Sequence, residues 1–225
     1  MLCRGDTPKH LSAALVGKAY VMSHRHLRAR LEEGNAQFRQ RLQSDVQRLL
    51  LQRQLALGQS PRFVVLSCMD SRVPVEEIFS LQPGEAFVLR NAGHVLSDAI
   101  VASLEFAVVQ LHVRYILVMG HSNCGAVQGA IRTSTATGES ALPLLLRRIR
   151  NSLEEPLSKW DTVDERALEY LIKYHSLQTA RAIPTLSRAI DELCEKGYLK
   201  IQPAYYHIDS GTVEFYDHLP QLDES

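Results

Sequence analysis

Residues 63–72 read FVVLSCMDSR, a short valine-rich run that ends in a cluster of polar residues. The apolar run is too short for a helix and follows turn residues, so we predict a buried strand. Residues 86–89 and 115–119 have the same character and are also predicted to be strands. Between these two, residues 100–111 repeat apolar side chains at helical spacing. Strand, helix and strand in this order predict a parallel sheet with helical crossovers.

The segments on either side of this sheet add helices and a strand pair. The predicted fold class is an α/β fold with a mainly parallel central sheet flanked by helices, an amino-terminal helical extension and a carboxyl-terminal strand pair. Residues 1–30 are predicted to be the extension, and residues 31–225 a single domain. The further predicted elements are a helix over 38–50, a loop over 133–140, helices over 164–183 and 184–196, and strands over 199–208 and 212–216.

Composition excludes several classes of protein. The 25 basic and 25 acidic residues give a formal net charge of zero, and 45% of the residues are hydrophobic. These values argue against a disordered chain and against nucleic-acid binding through bulk charge. No apolar run reaches the length of a membrane span, so a soluble protein with no membrane partner is expected.

Cysteine usage indicates the compartment. The four cysteines show no regular spacing, which favours a reducing, cytoplasmic location over a disulfide scaffold. The basic first thirty residues leave an organelle as the alternative, and Met22 is an alternative start.

Two polar clusters follow two of the predicted strands. Cys68 follows the first strand, and His121 and Cys124 follow the strand at 115–119. Ligands collect at the carboxyl ends of parallel strands. Two thiolates and one imidazole form a zinc ligand set, and three protein ligands leave one position open for catalysis. Either cluster alone is typical of a buried cysteine or a hydrogen-bonded histidine, but their combination favours a metal site.

Asp70 and Arg72 stand two residues apart beside the first cluster. In an extended strand exit, both side chains point to one side. An aspartate kept ionised by an arginine would accept a hydrogen bond from the attacking hydroxide and orient it. The alternative is a surface salt bridge.

These residues resemble the beta-class carbonic anhydrases. The Cys-x-Asp-x-Arg motif of that family stands here as Cys68, Asp70 and Arg72, and its His-x-x-Cys motif as His121 and Cys124. The resemblance implies one zinc ion per subunit held by the two cysteines and the histidine, with the aspartate and arginine as the catalytic dyad. It also implies reversible hydration of carbon dioxide to bicarbonate, in which zinc hydroxide attacks carbon dioxide. The likeness extends over the stretches 34–38, 82–87, 90–93 and 211–215.

The sequence is similar to the plant-type branch of that family. Val65 occupies the place where the bicarbonate-inhibited branch carries tryptophan. The resemblance further implies a homodimer or a higher even oligomer, in which Gln59 meets substrate from the neighbouring subunit. It leaves a carboxysome-like compartment open as an alternative location. The implied substrate-binding residues are Gln59, Phe87, Tyr205 and Gly125.

Other functions remain open at this point. Relatives of the fold hydrolyse carbonyl sulfide or carbon disulfide with the same metal site. A non-catalytic zinc-stabilised scaffold would be expected to have a fourth protein ligand or to lack the Asp70–Arg72 dyad. The basic run at 147–150 is interpreted as a solvated helix face rather than a nucleic-acid site. His94, near a strand end, is a candidate proton relay.

Overall fold

The computed structural model describes residues 24–133 and 141–219, and the chain divides into two units between Leu57 and Gly58. None of the helices within these ranges combines the length and apolar character that a bilayer crossing requires. The predicted loop at 133–140 lies outside the described residues, apart from Thr133.

The first unit contains two helices, α1 (His24–Ser44) and α2 (Val46–Leu55). The prediction of one continuous helix over 38–50 is therefore wrong. Asp45 interrupts it with an extended backbone (φ −120°, ψ 106°). Its carboxylate accepts the N–H groups of Gln47 and Arg48 at 3.0 and 3.1 Å, so it begins a new helix as an N-cap.

The second unit is built on a five-stranded sheet with the order β2-β1-β3-β4-β5. The first four strands pair in parallel, and β5 pairs antiparallel to β4, which confirms the predicted sheet and strand pair. The strands are β1 (Phe63–Cys68), β2 (Ala86–Asn91), β3 (Tyr115–His121), β4 (Lys200–Tyr206) and β5 (Val213–Phe215).

Helices connect and cover these strands. The crossover helix predicted over 100–111 is confirmed. Ser97 accepts the N–H of Ile100 at 3.4 Å and is the N-cap of α4 (Asp98–Glu105), which continues into a π-helical turn, Phe106–Gln110. A 3₁₀ turn, Ala92–His94, follows β2. The α-helices are α3 (Val75–Ile78), α4 (Asp98–Glu105), α5 (Gly125–Arg132), α6 (Ala141–Leu157), α7 (Glu165–Leu186) and α8 (Arg188–Glu195).

The predicted boundary between the last two helices is wrong. Pro184 does not begin the second helix but lies in the last turn of α7. Proline removes a backbone hydrogen bond from a helix and usually ends it. Pro184 is tolerated because α7 continues for only two residues beyond it. Ser187 is the N-cap of α8, because its hydroxyl accepts the N–H of Ile190 at 3.3 Å. Gly197, at φ 70°, follows α8 as predicted.

The sheet is buried on both faces, as expected for parallel strands. On one face, Val64 and Val118 pack with Leu104 of α4 and with α7 and α8. On the other face, Val65 and Met119 pack with the segment that includes α3. A further cluster, formed by α5, α6 and α7, contains Cys68 and Cys124. The carboxyl ends of β1 and β3 therefore lie against packed helices.

Candidate metal centre

Three potential metal ligands meet at the carboxyl ends of two adjacent strands. Cys68 is the last residue of β1, His121 is the last residue of β3, and Cys124 immediately precedes α5. Their ligand atoms all lie within 4.8 Å of one another, and all three side chains are buried. The two sulfur atoms are 3.9 Å apart. The structure thus brings together the three residues that the sequence predicts as zinc ligands.

The turn between the two ligands of the second cluster is fixed by β4. Asn123 adopts φ 55°, a left-handed conformation that asparagine tolerates better than most residues. Ser122 donates its hydroxyl to the Tyr206 carbonyl at 3.2 Å and accepts the N–H of Ile208 at 3.1 Å. Sequence reasoning missed Ser122, because its role depends on the pairing of β3 with β4.

The imidazole of His121 is oriented for coordination. Its Nδ1 atom lies 3.0 Å from the carbonyl oxygen of Ser122, which can only accept, so Nδ1 is the protonated nitrogen. The lone pair is then on Nε2, which is buried and has no hydrogen-bond partner among the described residues. Buried polar atoms rarely lack a partner in folded proteins. A cation between this nitrogen and the two sulfur atoms would satisfy it.

The two thiols behave as a coupled pair. The hydrogen bond from the Cys124 thiol lowers the pKa of Cys68, and so does the Gly93 N–H, which donates to its sulfur at 3.4 Å. The pKa of Cys124 is raised, because its proton is held by Cys68 and because burial disfavours a second negative charge. One thiolate is therefore stable alone, whereas two require a cation. This donor set fits zinc, a borderline-soft dication.

Asp70 and Arg72 form a bidentate ion pair beside the ligands. The Arg72 Nε and Nη2 atoms donate to the two carboxylate oxygens at 3.0 and 2.8 Å, and the Arg72 backbone N–H also donates at 3.0 Å. These hydrogen bonds hold the pKa of Asp70 well below its usual range. The Asp70 side chain is only 17% exposed, and its Oδ2 atom lies 3.9 Å from Nε2 of His121. The pair therefore adjoins the candidate metal centre and differs from an ordinary surface salt bridge.

Arg90 supports the same strand exit, and sequence reasoning missed this role. Its Nε atom donates to the carbonyl of Cys68 at 3.1 Å, and its Nη2 atom donates to the carbonyl of Asp70. Only the register of β1 against β2, which pairs Ser67 with Arg90, places the side chain there. The sequence contains no motif from which this contact could be derived.

Two of the predicted substrate-binding residues lie close to the ligands. Gly125 is exposed directly after Cys124, and a Cβ atom there would meet nothing within 4 Å. Tyr205 is buried in the cluster that contains Cys68 and Cys124, and burial raises the pKa of its phenol to about 12. Tyr206 belongs to the cluster on the opposite sheet face.

Within one chain, Gln59 and Phe87 lie away from the ligands. Phe87 pairs with Val64, four positions before Cys68, which corresponds to about 13 Å along a strand. It lines a shallow cavity of about 290 Å³ against α4 and the π-helical turn. Gln59 is exposed and precedes β1, at the opposite end of that strand from Cys68.

The structure argues against His94 as a proton relay. The side chain is completely buried, and burial lowers its pKa well below the ordinary histidine value. Its Nε2 atom lies 3.1 Å from the Ser176 hydroxyl. A relay to bulk water needs contact with solvent and a pKa near the working pH, and His94 has neither.

A second group with metal-ligand character is already paired with a lysine. Glu169, His207 and Glu214 place their ligand atoms within 4.8 Å of one another. The ammonium group of Lys173 lies 2.7 Å from Glu169 and 2.6 Å from Glu214. Its positive charge occupies the place that a cation would take, so this group is an ion-pair network.

Comparisons with known proteins agree with the geometry. The family model described as carbonic anhydrase matches residues 63–213. Carbonic anhydrase 2 of Mycobacterium tuberculosis is 34% identical over 204 residues, which cover 86% of this chain and 93% of that protein. The solved structure of the beta-carbonic anhydrase CcaA has a TM-score of 0.74 and 30% identity, covering 85% of this chain and 95% of that one.

A second solved structure, the beta-carbonic anhydrase CafA of Aspergillus fumigatus, has a TM-score of 0.73 and 26% identity, covering 87% of this chain and 93% of that one. The family match spans the strands that end in Cys68 and His121, and the relatives cover most of the chain. On this evidence, the chain belongs to the beta class of the carbonic anhydrase family.

Proposed function

We propose that this protein is a zinc-dependent carbonic anhydrase that converts carbon dioxide reversibly to bicarbonate and a proton. Its relatives carry that name, and its fold is theirs. The most direct support is the buried Nε2 atom of His121, which has no hydrogen-bond partner among the described residues. It faces two cysteine sulfur atoms and lies 3.9 Å from the carboxylate of Asp70.

Cys68, His121 and Cys124 would hold one zinc ion per subunit. Three protein ligands leave the fourth tetrahedral position open, as in catalytic rather than structural zinc sites. When bound there, zinc supplies the Lewis acidity that makes water a nucleophile near neutral pH. Two thiolates donate more charge to the metal than two imidazoles would, which lowers its Lewis acidity. The carboxylate of Asp70 therefore contributes more to activation of the nucleophile.

Asp70 orients the nucleophile in this proposal. Because the Arg72 hydrogen bonds keep it ionised, its oxygens only accept hydrogen bonds near neutral pH. The attacking water is therefore held with its hydrogen toward Asp70 and its lone pair toward the substrate. The open space at Gly125 gives carbon dioxide room beside the ligands, and the buried ring of Tyr205 contributes to the wall of the pocket.

A second copy of the chain would complete the pocket. In their own chain, Gln59 and Phe87 lie near the amino-terminal ends of the parallel strands, remote from Cys68. We therefore assign them to the pocket of a neighbouring subunit, in a homodimer or a higher even oligomer. The thiolate ligands require reducing conditions, which supports a cytoplasmic location.

Replacement of Asp70 by asparagine tests the proposed role of the dyad. The variant retains the shape of the side chain but loses the charge, so it should keep its zinc and lose about 100-fold in turnover. Stopped-flow hydration of carbon dioxide on zinc-quantified protein measures this. Asp98→Asn, at an exposed first-turn position of α4, is the matched control and should remain fully active. Full activity in Asp70→Asn would refute the dyad.

The alternatives have less support. A non-catalytic scaffold would have a fourth protein ligand or lack the Asp70–Arg72 pair. The pair is intact, and the ligand group among the described residues contains three side chains. None of the described contacts favours carbonyl sulfide or carbon disulfide over carbon dioxide.

A further inference from the structure

Two buried imidazoles lie beside the candidate metal centre and have no part in the proposed reaction. His94 belongs to the 3₁₀ turn after β2, and His175 lies in the middle of α7. Their ring centroids are 4.6 Å apart, and both side chains are buried. Buried imidazoles are retained at the cost of their hydration, so their hydrogen bonds indicate what they do.

The hydrogen bonds of His175 define its tautomer. Its Nε2 atom lies 2.8 Å from the carbonyl oxygen of Gly93, which can only accept, so Nε2 is protonated and donates. Its Nδ1 atom carries the lone pair and lies 2.6 Å from the hydroxyl oxygen of Ser152 on α6, which also lies 2.6 Å from the carbonyl oxygen of Ile149. Burial lowers the pKa of His175 to about 4, so the ring is neutral near neutral pH. The imidazole thus connects α6 and α7 to the 3₁₀ turn.

Gly93 links His175 to a metal ligand. Its own N–H donates to the sulfur of Cys68 at 3.4 Å, while its carbonyl accepts from His175. The two peptide groups that flank its Cα therefore face the ligand on one side and the imidazole on the other. Gly93 adopts φ 68°, and a Cβ atom there would lie 2.6 Å from Cδ1 of Ile149. This turn has one tightly packed conformation.

We propose that His175 is a positioning residue for the metal centre. By holding the carbonyl of Gly93, it keeps the Gly93 N–H directed at the Cys68 sulfur. A hydrogen bond to a ligating thiolate withdraws charge from the sulfur and fixes its direction. His175 therefore adjusts, from two hydrogen bonds away, how strongly Cys68 donates to the metal. This inference rests on the proposed function, since it assigns His175 to the zinc site.

Cobalt substitution tests this role independently of turnover. Co²⁺ bound to thiolates gives a sulfur-to-metal charge-transfer band, which reports on the bonds to Cys68 and Cys124 together. His175→Ala should shift this band and weaken zinc binding about 10- to 100-fold in a chelator competition. His175→Gln, which restores an N–H donor, should recover part of both. Ser176→Ala, one residue along α7, removes a hydroxyl that contacts His94 rather than Gly93, and should match the parent.

The outcomes separate this inference from the proposed function. If the parent binds cobalt and zinc but His175→Ala has the parent's band and affinity, the positioning role is overturned and the proposed function stands. If the parent binds neither ion, the proposed function fails and this inference fails with it. If His175→Ala does not fold, Ser152→Ala retains the imidazole but loses its partner. It should shift the band in the same direction by less, and an unchanged band would overturn the proposal.

Discussion

Replacement of Gly93 by alanine should destabilise the protein severely, because two independent effects add. Gly93 adopts φ 68°, where an alanine costs about 1–2 kcal/mol relative to glycine. A Cβ atom there would also lie 2.6 Å from Cδ1 of Ile149 and 3.2 Å from Cβ of Ala126, and overpacking of this kind costs about 1–3 kcal/mol. We therefore expect Gly93→Ala to lower the free energy of unfolding by about 2–5 kcal/mol.

Urea unfolding at a fixed, buffered zinc concentration measures this loss. Gly211→Ala is the matched control, because Gly211 has φ 72° but nothing within 4 Å of a Cβ atom. It should lose only the conformational part, about 1–2 kcal/mol. Ile149→Val removes the clashing Cδ1 atom, so the double variant with Gly93→Ala should lose at least about 1 kcal/mol less than the sum of the two single variants. Equal losses in Gly93→Ala and Gly211→Ala, with additive behaviour in the double variant, would contradict the predicted clash with Ile149.

Three further predictions follow from the packing and the buried histidine. The His175 imidazole stays neutral in the folded chain down to about pH 4 but takes up a proton near pH 6.5 when unfolded, so stability should fall by about 3 kcal/mol between these values. His175→Asn should lack this part of the acid loss, and parallel unfolding curves across that pH range would contradict it. Ser187→Ala removes the N-cap of α8 and should cost about 1 kcal/mol in chemical unfolding, whereas an unchanged midpoint would exclude the cap. Gly120→Ala would place a Cβ atom 2.5 Å from a serine hydroxyl of α7, so it should lower the melting temperature. A melting temperature equal to the parent's would disprove the close packing of β3 on α7.

Much of the fold follows from local sequence pattern. The short apolar runs predict β1, β2 and β3, because strands covered on both faces contain little polar alternation. The errors arose where one side chain decided a boundary. Asp45 divides the amino-terminal helix because its carboxylate caps the next one, and an apolar stripe that continues across it conceals the break. Helix α6 was not predicted, although its charged face at 147–150 was recognised.

The ligands were predictable and their supporting residues were not. Cys68, His121 and Cys124 have types and spacings that suit zinc, and their positions after strands indicate where they meet. Arg90 and His175 act through backbone carbonyls that only the folded chain brings near them. Every residue has a backbone carbonyl, so a hydrogen bond to that carbonyl does not constrain the type of the acceptor residue. The sequence alone therefore does not indicate such contacts.

In the proposed function, two cysteines and one histidine hold the zinc on which hydration of carbon dioxide depends. The most direct test measures zinc content and stopped-flow hydration on the same samples of the parent, Cys124→Ser and Cys194→Ser. Cys194 lies on α8, outside the metal centre, and is the matched control. We expect one zinc ion per chain and full activity in the parent and in Cys194→Ser, with loss of both in Cys124→Ser. Retention of zinc and activity in Cys124→Ser would contradict the account.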